Sequence, residues 1–198
     1  MQPANLNTKT VTIFIRNMVS DSCVKVIKWE LERSGFIQVE DIELGRAVIH
    51  YNEGVVNTDF INAILNRNGF ALIDDKEKKL VEQIKAAVIQ LFFFGNNVNS
   101  LIRNSDYLSL KLGEPYISLS KTFSKHTNST LEKYIIQIKI ERVKELISYD
   151  DISLSEISYT MGYSSVAALS TQFKQVAGVS VHDYKKQIHP DRVPLNKI

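Results

Sequence analysis

From Val11 to Arg16 apolar and polar residues alternate, and this period of two predicts a β-strand. Between Cys23 and Ser34 the period changes: Val24, Ile27 and Leu31 recur at helical spacing and Gly35 closes the helix. Ile37–Leu44 and Ala47–Tyr51 again read as strands, with Gly45-Arg46 as a hairpin-like turn between them. Phe60, Ile61, Ile64 and Leu65 mark a second helix ended by Asn68-Gly69, and Phe70–Ile73 is a last strand. The order β-α-β-β-α-β predicts a ferredoxin-like sandwich with both helices on one face of an antiparallel sheet. Asp74-Asp75 then opens a long helix carrying Leu80, Ile84, Val88 and Leu91, and a polar interruption follows from Gly95 to Asn99.

Residues 104 to 186 repeat one pattern twice, about fifty positions apart. Leu119 falls on Leu169, Ser120 on Ser170, Phe123 on Phe173, Asn128 on Gly178 and Tyr134 on Tyr184. Upstream of each copy a short amphipathic segment ends at a glycine, Leu108–Gly113 in the first and Ile157–Gly162 in the second. Two short helices joined through a Gly-containing turn form a helix-turn-helix. Capping-box patterns at Ser129-Thr130-Leu131-Glu132 and Ser153-Leu154-Ser155-Glu156 predict helices over 130–149 and 154–161, and Pro115 suits the first turn of the helix after it. The predicted architecture is α+β in the first part and all-α in the second, with two helix-turn-helix subdomains joined by a long helix. The expected boundaries are an accessory domain at 1–75, a connecting helix and linker at 76–103, the double helix-turn-helix at 104–187 and a tail at 188–198.

Composition narrows the class. Trp29, eight tyrosines and nine phenylalanines in 198 residues argue for packed cores. The run Leu91-Phe92-Phe93-Phe94 is far too short for a membrane span, which takes roughly 20 apolar residues. Met1–Thr10 has no apolar stretch of the kind a secretory signal carries, and Cys23 is the single cysteine, so a reducing, cytoplasmic setting is expected. The net charge of +2 is divided unevenly: seven Lys/Arg against ten Asp/Glu in residues 1–75, and seventeen against twelve thereafter. An acidic first part and a basic second part suit an accessory domain attached to a nucleic-acid binder. No phosphate-cradling glycine loop, H-E-x-x-H or Ser/His/Asp grouping is present, so no enzymatic activity is expected.

The connector Leu131–Tyr149 has nineteen residues, about 28 Å as a helix, against roughly 34 Å between successive major-groove faces of DNA. Such a spacer sets two recognition helices, Pro115–His126 and Ser165–Val176, on one side of a duplex. Their groove-facing candidates are Ile117, Ser118, Ser120, Lys121 and Lys125, and then Ser165, Val166, Ala167, Ser170, Thr171 and Lys174. Lys121 is suited to guanine O6/N7, and Lys125 and Lys174 to phosphates. Leu119, Phe123, Leu169 and Phe173 are expected in the core.

The stretch Ile157-Ser158-Tyr159-Thr160-Met161-Gly162-Tyr163-Ser164-Ser165-Val166, followed by Leu169, Phe173-Lys174, Gly178 and Tyr184, resembles the second-repeat signature of the AraC/XylS family of bacterial transcription regulators. Glu141–Leu146 also resembles that family's connector. The chain departs from the signature at Ser158 (usually Ala), Leu169 (commonly aromatic) and Thr171 (very often Arg). The resemblance implies a sequence-specific regulator whose partner is double-stranded DNA, with RNA polymerase and a second copy of the chain as further candidate partners.

The first 75 residues resemble the heavy-metal-associated domain of copper chaperones and metal-transporting ATPases, through the element order and the loop Asn17–Cys23. That family carries M-x-C-x-x-C there. Met18 and Cys23 match, but Ser20 stands at the first cysteine position, and a hydroxyl is a poor ligand for Cu(I) or another soft metal. The reading taken is a domain that keeps the fold without a metal and serves dimerisation or docking. The alternatives are a copper sensor or metal-handling protein, with Cys23 shared across a dimer, or a reactive thiol at a helix N-terminus. His50 is read as half-buried sheet surface, and His126, His182 and His189 as surface.

Overall fold

The computed structural model describes residues 8–95, 103–149, 151–187 and 190–198. His189 and most of the Gly95–Asn99 interruption lie outside the described residues. Contacts divide the chain into two compact units with the boundary after Ala86. Among the described residues no helix is long and apolar enough to cross a membrane.

In the first unit β1 (Thr8–Arg16), α1 (Asp21–Arg33), β2 (Ile37–Glu43), β3 (Arg46–Asn52), α2 (Thr58–Asn66) and β4 (Ala71–Leu72) follow one another. The four strands form one sheet in the order β2-β3-β1-β4, and every pairing is antiparallel. Alternation places Ile13, Ile15, Ala47 and Ile49 inward, where they meet the apolar stripes of α1 (Ile27, Leu31) and α2 (Ile61, Ile64, Leu65). In β2 the inward positions change parity, from buried Ile37 and Val39 to half-buried Ile42, and a bulge at Glu40 absorbs the extra residue.

Two boundaries differ from expectation. The hairpin turn is Leu44-Gly45, not Gly45-Arg46: Gly45 takes the left-handed conformation, φ +83°, while Arg46 already belongs to β3 and pairs with Asp41 and Glu43 at 2.8 and 3.0 Å. The last strand shrinks from Phe70–Ile73 to Ala71–Leu72, paired with Arg16 and Ile15, and beyond it the Ile73 N–H still donates to the Phe14 carbonyl at 3.0 Å.

The long helix, α3 (Lys76–Ile89), begins where the Asp75 carboxylate accepts from the Lys78 N–H at 2.8 Å. It continues into a π-helical turn at Gln90–Phe94. The second unit then holds α4 (Asn104–Leu112), α5 (Tyr116–His126), α6 (Leu131–Ser148), α7 (Leu154–Thr160), α8 (Val166–Ala177) and α9 (Val181–Lys185). The repeat is visible as burial: Leu108, Leu119, Phe123, Leu131 and Tyr134 are buried, and so are their counterparts Ile157, Leu169, Phe173, Val181 and Tyr184. Phe123 packs on Tyr134 with ring centroids 5.1 Å apart, and Phe173 on Tyr184 at 5.3 Å.

Ser153 and Glu156 form the expected capping box, with Ser153 N–H donating to the Glu156 carboxylate and Glu156 N–H to Ser153 Oγ. The other box is absent. α6 is capped by Thr130, whose Oγ1 accepts from the Lys133 N–H, and Glu132 instead receives the Tyr116 hydroxyl at 3.0 Å. The C-terminal segment closes on α6, where the Glu141 carboxylate accepts from Arg192 Nε at 3.1 Å and from the Val193 N–H at 3.2 Å.

Candidate nucleic-acid interface

Each copy of the repeat sets an amphipathic helix with one face in the core and the other in solvent. Gly113, in the left-handed conformation at φ +70°, ends α4, and Pro115 caps α5 from outside the helix. The first of the two expected recognition helices therefore starts at Tyr116 and not at Pro115. In the second copy Ser165 is likewise outside: its Oγ accepts from the Ala168 N–H at 3.1 Å, and α8 runs from Val166 to Ala177. Leu119 and Phe123 lie under α5, and Leu169 and Phe173 under α8, all at 0–1 % exposure.

Opposite Leu119 and Phe123, Ile117, Lys121 and Lys125 follow at intervals of four and are all exposed, Ile117 at 83 %. Ser118 and Ser120 are half-buried at the flanks of that stripe. On α8, Ala167, Thr171 and Lys174 are exposed, as is Ser165 at the cap, while Val166 and Ser170 are half-buried beside Leu169. The structure thus gathers Ile117, Lys121 and Lys125 on one outward ridge and Ala167, Thr171 and Lys174 on another. Ser120, Val166 and Ser170 sit nearer the core.

The α7–α8 turn is tied to α6. Lys139 Nζ lies 3.7 Å from the centre of the Tyr163 ring, and the Tyr163 hydroxyl donates to Gln172 Oε1 at 2.7 Å. Burial pushes the Lys139 ammonium down to about 8 and raises the Tyr163 phenol. An unfolded chain, with its lysine near 10.5, binds more protons than the native one above pH 8. The burial penalty on Lys139 is therefore fully present below pH 8 and is relieved as pH rises. The Tyr163 shift opposes this only above about pH 10. Urea unfolding should show the helical unit more stable at about pH 9.5 than at about pH 8, and Lys139→Met should remove the rise. A rise that survives in the variant would assign it to another group.

One basic surface was not legible in the sequence. A cleft of about 550 Å³ in the second copy is lined by Ser170, Thr171 and Lys174 of α8, by Val181, His182 and Lys185 of α9, and by Leu154 and Ser180. The two short helices bring together lysines eleven positions apart, and no periodicity announces that.

In the first unit Met18 is buried, and its Sδ accepts from the Gly45 N–H at 3.3 Å. Cys23 is half-exposed near the start of α1, its Sγ 3.4 Å from Ser20 Oγ. A thioether turned into the core and one thiol beside a hydroxyl do not fit a soft-metal site. Among the described residues no three His, Cys, Asp or Glu side chains converge as metal ligands. His50 bridges Thr10 and Glu40 on the sheet at 2.7 and 2.9 Å.

The buried repeat and its outward ridges fall within residues 109–187, which match the family model described as "Helix-turn-helix domain". The chain is 31% identical over 111 residues to the Msm operon regulatory protein of Streptococcus mutans, covering 56% of this chain and 37% of that one. It is 24% identical over 163 residues to the raffinose operon transcriptional regulatory protein RafR of Pediococcus pentosaceus, covering 79% and 57%. It is 26% identical over 141 residues to an uncharacterized HTH-type transcriptional regulator, YdiP, of Escherichia coli, covering 71% and 41%. The chain thus spans from about two fifths to under three fifths of the length of these relatives.

Proposed function

We propose that this chain is a sequence-specific, DNA-binding transcription regulator of the AraC type, whose α5 and α8 enter successive major grooves on one side of a duplex. The observation that carries this reading is the duplicated core, Leu119-Phe123-Tyr134 and Leu169-Phe173-Tyr184, with an exposed ridge over each copy. α6 has 18 residues and so spans about 27 Å, against roughly 34 Å between successive major-groove faces, which supports two helices held within reach of adjacent grooves. The regulatory names of the relatives support the same class.

The protein should protect two adjacent major grooves on one face of a duplex selected from random DNA. Lys121→Ala should weaken binding by about 1–3 kcal/mol and relax base preference at one position. Protection of a single groove, or none at low salt, is the result against this reading.

The first unit we read as a ferredoxin-like, heavy-metal-associated-type domain that serves docking or dimerisation without a metal. The strand order β2-β3-β1-β4, the two helices over it and the inward-turned Met18 support that reading.

A further inference from the structure

We propose that the cleft between α8 and α9 is a seat for a DNA backbone phosphate, and that the second copy of the repeat is the sequence-independent anchor of the pair while the first copy reads bases. This rests on the DNA-binding reading above and adds a division of labour to it. The cleft is lined by Lys174, His182 and Lys185 with the hydroxyls of Ser170 and Thr171, and no carboxylate lines it. Asp183 borders the cleft: its carboxylate lies 3.7 Å from His182 Nδ1 and accepts from the Oγ of Ser180, itself a lining residue, at 2.6 Å. A concave surface lined by two lysines, a histidine and hydroxyls, with the bordering carboxylate already engaged by Ser180, suits a phosphate oxygen cluster better than a base edge.

Its position decides which phosphate. Thr171 and Lys174 belong both to the cleft and to the outward ridge of α8, so a strand bordering the groove that α8 enters passes over the cleft. The first copy differs in its lining, with Lys121 where the second has Thr171. At the equivalent positions Ser124 replaces Lys174, Glu132 replaces His182 and the buried Ile135 replaces Lys185. Glu132 also receives the Tyr116 hydroxyl, which fixes a negative charge where the second copy carries a base. The ridges are unequal in the opposite sense. α5 presents Ile117, Lys121 and Lys125, a long apolar contact and two long donors. α8 presents Ala167 and Thr171, a methyl and a hydroxyl, and its one long donor on that ridge, Lys174, also lines the cleft. Backbone grip and base reading are therefore divided between the two copies.

The test uses the full chain, with anisotropy titrations on two probes: a duplex selected by wild type from random DNA, and a scrambled duplex of the same length and composition. Lys185→Gln and His182→Gln should lower affinity several-fold on both duplexes alike. For Lys185→Gln the ratio of wild-type to variant affinity should shrink about three- to four-fold between about 50 and about 200 mM salt, as expected for one lost phosphate contact. Unchanged affinity, or a loss confined to the selected duplex, overturns the seat. If wild type binds neither duplex at low salt, the DNA-binding reading itself fails. In that case inorganic phosphate titrated into the ¹⁵N-labelled chain decides the site: shifts centred on Ser170, His182 and Lys185 and lost in Lys185→Gln assign the cleft to free phosphate and overturn the backbone assignment, and no shift overturns the seat altogether.

Discussion

Phe173→Ala is expected to destabilise the helical unit by about 3–5 kcal/mol, enough to leave little native protein at physiological temperature. Phe173 has no exposed surface and lies edge-on to Tyr184, with ring centroids 5.3 Å apart and planes at 74°. It joins α8 to α9, so removing the ring opens a cavity between the recognition helix and the helix that carries half of the basic cleft. The aromatic pair alone contributes about 0.5–1.5 kcal/mol beyond the area buried. Urea unfolding followed by the helical circular dichroism signal measures the loss, and amide exchange in α6, α8 and α9 should rise together. Ile117→Ala is the contrast. At 83 % exposure it should change stability by less than about 0.5 kcal/mol while weakening duplex binding. A loss below about 1 kcal/mol for Phe173→Ala would mean that the second copy does not depend on its central ring.

The same buried positions explain why the second half was legible in the sequence. Leu119, Phe123 and Tyr134 must face inward together, and repeating that requirement at Leu169, Phe173 and Tyr184 leaves a period that a single chain displays. Alternation likewise exposed the strands, since Ile13, Ile15 and Ile49 can reach a core only on one face of the sheet. What escaped was set by choices between chemically equal neighbours or by distant pairs. Ser129 and Thr130 are both competent caps, and the position of α6 against α5 favours Thr130 by giving Glu132 to Tyr116. Gly45 supplies the positive φ of the hairpin whichever residue flanks it, so the turn residues differ by one from the expected pair. Met18 looked like a metal ligand in the loop pattern, yet its thioether is taken up by the Gly45 N–H inside the core. The cleft at α9 and the anchoring of the C-terminal segment arise from side chains that only the fold brings together.

That anchoring leads to the other large effect. Glu141 is 4 % exposed and Lys144 6 %, and their charged groups meet at 2.7 Å within one turn of α6. The second carboxylate oxygen of Glu141 takes Arg192 Nε and the Val193 N–H, so one buried acid satisfies a buried base and holds the C-terminal segment. Glu141→Ala should cost about 3–5 kcal/mol, because it strands the Lys144 ammonium in the interior as well as removing the bonds to the segment. Arg192→Ala should cost much less, about 0.5–1.5 kcal/mol, since its side chain is 38 % exposed and Glu141 keeps Lys144. Exchanging the buried pair for apolar residues of similar size, Glu141→Leu with Lys144→Met, should recover most of the loss, because no charge is then left unpaired. Denaturant unfolding of the two single variants and the double variant measures the three losses side by side. If the double variant is as unstable as Glu141→Ala, the loss comes from the freed C-terminal segment and not from the stranded lysine, and Arg192→Ala must then show the larger effect.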